Sequence, residues 1–177
     1  MKVQFFSLAV LAALFLSFSV NAQQTPTVSI QKMVSISNHA DADAQVLSEY
    51  FNALTAADFG KASSLLGPNF MSHGPSIADS SNAEKEMKGW KTNHELFKDL
   101  KLLGKVQSAF TSTGYPKGDW AFMWGTYSMT FKATNKTVVF PFHFSARIEK
   151  GKIAALYGYW NNTPFIEAMG NKVVKAK

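Results

Sequence analysis

The chain has no cysteine and a single arginine, Arg147. Without cysteine there is no disulfide framework, no thiolate metal site and no cysteine to carry a lipid anchor. Seventeen of the eighteen basic residues are lysines, so the forked donors that read bases and phosphates are nearly missing. Lys85, Lys88 and Lys91 make the densest basic run, and it reads as a solvated helix face, so no nucleic-acid partner is expected. The four histidines are scattered, with no pair at helical spacing, and no metal is expected. There is no Gly-x-Ser-x-Gly elbow, no phosphate loop and no dinucleotide fingerprint, so no cofactor is expected either. No apolar run reaches the roughly 20 residues that a membrane-spanning helix needs.

What is present begins with a leader. Lys2 precedes an apolar run from Phe5 to Phe18, and Val20-Asn21-Ala22 supplies the small-x-small pattern of a cleavage site. Residues 1–22 therefore read as a secretory signal peptide, which places the mature chain in the periplasm or outside the cell, with no membrane attachment after cleavage. Residues 23–40 are polar and read as a flexible linker, and 41–177 as one domain. The chain is 46% hydrophobic with fifteen Phe and four Trp, enough for a core and for extra concave apolar surface. Its formal charge is +6.

Along the domain, the apolar period changes once. Val46, Leu47, Tyr50, Phe51 and Leu54 form a helical stripe capped at Asp41 or Asp43. Asp58 caps a second short helix that Gly67-Pro68 stops, and Phe70 to His73 is a brief strand. Ser81 with Glu84 makes a capping box for a third helix, with Met87, Trp90, His94 and Phe97 inward. From Leu100 the period becomes that of strands: 100–113, 120–132, 137–149 and 152–161, joined by turns at 115–119, 134–136 and Lys150-Gly151. A last short helix begins near Thr163-Pro164 and ends at Gly170. Helices followed by hairpin-linked strands predict an α+β fold with an antiparallel sheet. Trp120, Phe122 and Trp124 share one sheet face and Met123, Tyr127, Met129 and Phe131 the other, so both faces should be covered, one by helices and one by a second subunit.

Three stretches taken in order carry a family resemblance: Phe70 to Pro75, Arg147 to Ile153, and Tyr159-Trp160-Asn161 through Phe165 to Gly170. With the order of elements, the chain resembles the nuclear-transport-factor-2-like superfamily and, within it, the SnoaL-like polyketide cyclase group, from Asp41 to Gly170. The resemblance implies a cone of three N-terminal helices packed on a curved antiparallel sheet around a deep apolar pocket. Members include isomerases, dehydratases and aldol-type cyclases that work without metal or cofactor through an Asp or His base, and others that only bind a ligand or pair with themselves. In the family pattern an Asp commonly follows the Trp. Here Asn161 stands there, and since an amide takes no proton at neutral pH, the base role does not transfer to it.

The candidate site follows from chemistry and position. His73, between a strand and the Gly74-Pro75 turn, is the candidate general base, or else a histidine tied to a nearby carbonyl. Tyr159 and Asn161 share a strand face and could polarise a carbonyl, or Tyr159 could simply pack with its hydroxyl at the rim. Trp90, Trp124, His143 and Tyr157 are candidate ligand-binding residues; His143 faces the pocket if its side of the strand lines the cone, and a subunit contact or solvent if not. His94 reads as a hydrogen-bonded core residue. The expected function is binding of a small, mostly apolar molecule by a homodimer. The alternatives are a cofactor-free isomerase, dehydratase or cyclase with His73 as base, and a purely structural dimerisation domain.

Export should remove residues 1–22. Intact-mass measurement of secreted protein should give a chain beginning at Gln23, and secreted material that kept Met1 would overturn the leader.

Overall fold

The computed structural model describes residues 29–76 and 78–172. The expected leader, 1–22, and the start of the expected linker, 23–28, lie outside the described residues. From residue 30 the stretch read as linker holds a helical turn, α1 (Ile30–Met33), and a two-residue strand, β1 (Val34–Ser35). β1 pairs through Val34 with Ser112, giving the outermost long strand partners for its free backbone groups.

Helix α2 (Ala40–Thr55) follows and presents Leu47, Tyr50, Phe51 and Leu54 as one buried stripe. Its N-cap is His39, with no side-chain cap bond, so the expected Asp41 or Asp43 cap is replaced by two acidic residues in the first turn, where the helix dipole favours them. Helix α3 (Phe59–Ser64) is capped as expected: Asp58 accepts from the Lys61 amide at 2.9 Å. Gly67-Pro68 ends no helix but lies inside strand β2 (Leu66–His73), at the irregular stretch between the Leu66 and Met71 pairings. After strand β3 (Ser80–Asn82) comes helix α4 (Ala83–Leu96), whose cap is Asn82 rather than Ser81: the amide side chain accepts from Lys85 at 2.9 Å.

Four long strands follow: β4 (Phe97–Ser112), β5 (Gly118–Phe131), β6 (Lys136–Glu149) and β7 (Lys152–Trp160). Lys150 and Gly151 both take positive φ at the β6–β7 turn, the backbone of a tight hairpin, which explains the glycine. Helix α5 (Thr163–Ala168) closes the described chain, with Pro164 in its first turn. The seven strands form one sheet in the order β1-β4-β5-β6-β7-β2-β3. It is antiparallel except where β2 runs parallel to β7, a pairing that the long intervening chain permits. The fold is thus α+β with a curved, mainly antiparallel sheet.

Alternation along the long strands assigns the two faces. Met123, Tyr127 and Met129 of β5 and Phe140, Phe142 and Ala146 of β6 are buried toward the helices. The tryptophan-bearing set lies on the outer face, where Trp124 is 43% exposed.

Two glycines test the packing in opposite directions. A Cβ on Gly125 would collide with the Gly104 carbonyl oxygen and come within 2.9 Å of the Phe142 ring, whereas one on Gly89 would meet nothing within 4 Å. Gly125→Ala should lose about 1–3 kcal/mol of stability. Gly89→Ala, inside a helix, should gain up to about 1 kcal/mol. Urea unfolding of both variants checks the pair.

Candidate functional site

Between α4 and the inner face of β5, β6 and β7 lies a cavity of about 510 Å³. Its wall is largely aromatic, formed by Phe51, Trp90, Tyr127, Phe140, Phe144 and Trp160. The Phe51 ring of α2 lies 4.2 Å from that of Phe144 and 6.4 Å from that of Trp90. Gly158 makes this convergence possible: a Cβ there would lie 2.8 Å from the Trp160 ring and 3.0 Å or less from the Phe144 ring. Only one side chain of α4, Met87, is fully buried, so this helix roofs the space without filling it.

Polar side chains share the lining, among them Asp79, Lys85 and Asn93, and Glu86 of α4 gathers three hydrogen bonds. Its Oε1 accepts from the Tyr50 hydroxyl at 3.3 Å and from the Trp90 indole N–H at 3.1 Å. Its Oε2 accepts from the Ser72 hydroxyl at 2.6 Å, the short distance of a charge-assisted bond. Burial, and then the Glu86 charge, hold the Tyr50 hydroxyl well above the usual phenol range, so it stays a donor. Opposite, Tyr127 meets Thr55 Oγ1 at 2.8 Å. Thr55 gives its proton to the Phe51 carbonyl at 2.7 Å, so Tyr127 donates in that contact, and burial raises its hydroxyl too. At the rim, Lys85 Nζ donates to the Ser80 carbonyl at 2.8 Å, and Asp79 accepts from the Ser76 amide. No group of three or more His, Asp or Glu side chains that could hold a metal ion converges among the described residues.

Of the residues singled out in the sequence, Trp90 stands in the cavity wall. His73 contributes to the rim, but its neighbour Ser72 points inward to Glu86, and the His73 imidazole stacks on Tyr157 at 4.9 Å on the opposite face. Asn161 Oδ1 accepts from the Thr163 amide at 2.9 Å, supporting the start of α5. Tyr157, Tyr159, His143 and Trp124 all lie on the outer face. His73, Tyr159 and Asn161 therefore do not converge around the cavity. His94, read as a hydrogen-bonded core residue, meets the Leu54 carbonyl at 2.7 Å. Glu86 was missed in the sequence, and Tyr50 was read only as part of the apolar helical stripe. The available signal was Glu86 four residues before Trp90, on the same helix face.

The outer-face residues form cross-strand rows. Val106, Trp124, His143 and Tyr159 are paired in sequence across β4 to β7. Beside them run Ser108, Phe122, Ser145, Tyr157 and His73. The rings stack nearly parallel, Trp124 on His143 at 5.1 Å and 14°, and His143 near Tyr159 at 20°. His143 Nε2 is buried there with no hydrogen-bond partner among the described residues.

Comparison with known proteins fits this architecture. The profile of the SnoaL-like domain family matches residues 47–156. No curated protein matches the sequence significantly. Among solved structures, an NTF2-like protein from Burkholderia xenovorans superposes with a TM-score of 0.59 at 14% identity, over 76% of this chain and 98% of that one. A protein provisionally assigned as a polyketide cyclase from Xanthomonas campestris gives 0.60 at 12% identity, over 72% and 96%. An LEH-like epoxide hydrolase from M. tuberculosis gives 0.55 at 11%, over 73% and 90%. At these identities the likeness concerns the fold.

Proposed function

This chain belongs to the SnoaL-like domain family, and from that premise we propose that it is an exported ligand-binding member whose cavity takes a small, mostly apolar molecule. The observation that carries the reading is the 510 Å³ cavity whose aromatic wall holds the hydrogen-bonded Glu86, with the other charged groups, Asp79 and Lys85, at its rim. That volume lies in the range of small-molecule pockets, and the combination of apolar wall and few polar groups is what orients a ligand in them. Trp90 joins both parts, as wall and as donor to Glu86. The alternative of a cofactor-free isomerase, dehydratase or cyclase with His73 as base is less well supported, because a general base must reach its proton within hydrogen-bond distance. The His73 ring stacks on Tyr157, on the far side of the strand from Ser72.

Titration with a fluorescent apolar probe such as 1-anilinonaphthalene-8-sulfonate, followed by displacement with small arenes, tests the cavity. Trp90→Ala should weaken arene binding by about tenfold or more, the loss of a contacting ring, while His73→Ala leaves it within about twofold. If Trp90→Ala binds like the parent, or His73→Ala abolishes binding, the cavity is not the site.

A second role, homodimerisation through the outer face, has its own support. The two rows running from Val106 to His73 carry no lysine, although the chain bears +6 overall. The neighbouring row holds one cation, Arg147, and that is paired with Glu149. A second copy can approach such a face without setting lysine against lysine, and could offer the buried His143 Nε2 a partner. Tyr159 is 53% exposed and Val106 67%, leaving apolar surface that a partner would cover. Light scattering at about 50 µM, a concentration that populates a micromolar dimer, should give twice the monomer mass. Trp124→Lys should give a monomer with its melting temperature within a few degrees of the monomeric fold. A parent protein that is monomeric there would overturn the dimer.

A further inference from the structure

We infer that the cavity selects organic cations: an alkyl- or arylammonium whose charge faces Glu86 and whose apolar substituents lie against the surrounding rings. The inference rests on the ligand-binding reading above and names the ligand class for that same cavity. Glu86 is held by three donors, Tyr50, Ser72 and Trp90, and all three are neutral. They fix the carboxylate in place without cancelling its charge. Among the described residues, Glu86 has no Lys, Arg or His nitrogen within ion-pair distance; the ion pairs are Lys61 with Glu49 and Arg147 with Glu149. The adjacent Lys85 turns its ammonium to the Ser80 carbonyl instead. The result is a carboxylate with an uncompensated charge in a half-buried, largely apolar wall, the situation in which a charge most favours gaining a partner.

The wall suits the same ligand. The faces of Trp, Tyr and Phe rings are negative and attract a cation, Trp most strongly, and desolvation strengthens the attraction. Trp90 is tied to Glu86 through its indole N–H, so carboxylate and ring can act on one cation together. A carboxylate offers about four lone-pair sites, and three are used, so one is left for an N–H of a primary, secondary or tertiary ammonium. Net charge alone would point the other way. A chain of +6 attracts anions at long range, yet the ionised side chains in the cavity wall are Asp79 and Glu86 against Lys85. An anionic ligand would have to sit against the carboxylate. A neutral ligand would leave its charge unmatched.

An isosteric pair separates charge from shape: phenyltrimethylammonium and tert-butylbenzene, titrated into the mature protein and followed by ligand-observed NMR. The cation should bind at least about tenfold more tightly than the hydrocarbon, a difference of about 1.4 kcal/mol. Glu86→Gln, which keeps the size and an acceptor, should erase that preference while holding the hydrocarbon affinity within about twofold. Glu49→Gln, which removes a carboxylate paired with Lys61 away from the cavity, should retain the preference, so that a change in overall charge is told apart from loss of the charge in the cavity. Equal binding of the two probes by the parent, or an undiminished preference in a folded Glu86→Gln, overturns the cation class while the cavity reading stands. If neither probe binds the parent, both fall together.

Discussion

Helix α2 lies across the inner face of the sheet, and Phe51 is the point at which that contact turns from core into cavity. Behind it, Leu47, Tyr50 and Leu54 are wholly buried. In front, the Phe51 ring meets Phe144, Phe142 and Trp90. With no disulfide to assist, burial of such side chains, each contributing roughly 1.5–3 kcal/mol, must hold the domain. Across the cavity lies α4. That helix is anchored through Met87 and the Glu86 network rather than through a full apolar stripe, so the space beneath it stays open.

The period of two in a strand then gives one sequence two surfaces. Along β5 and β6, alternate residues feed the core and cavity on one side and the stacked outer rows on the other. Both are aromatic, but they differ in what surrounds them. The inner rings are enclosed by helices and by one another; the outer rings stack across strands with their faces partly in water. The two surfaces can therefore be altered separately, since neighbouring residues such as Gly158 and Tyr159 belong to different ones.

Glu86 shows what a single charge does in such a setting. A carboxylate beside aromatic rings is unfavourable unless hydrogen bonds hold it, and three donors from three elements do so: Tyr50 from α2, Ser72 from β2 and Trp90 from its own helix. The same bonds tie α4 to the sheet and to α2. The polar centre is thus a structural joint and the cavity's chemical feature at once, and its neutral donors leave the charge available.

Much of the architecture could be read from the residues alone. The α2 stripe, the Asp58 cap, the four long strands and the Lys150-Gly151 hairpin all follow from local periodicity and turn chemistry, which act over a few residues. So did the existence of two apolar sheet faces. Which face would line the cavity did not, because alternation divides residues into two sets without saying which one the helices cover. That choice placed His143, Tyr157, Tyr159 and Trp124 on the outer surface together and left the His73 ring at the cavity rim, stacked on Tyr157. Asn161 went to a local bond with the Thr163 amide for the same kind of reason, a contact formed where the chain turns into α5. Glu86 was hidden because its partners Tyr50 and Ser72 are 36 and 14 residues away. Sequence determines which side chains share a face; only the tertiary packing decides what that face meets, since burial and hydrogen bonding are set by distant parts of the chain.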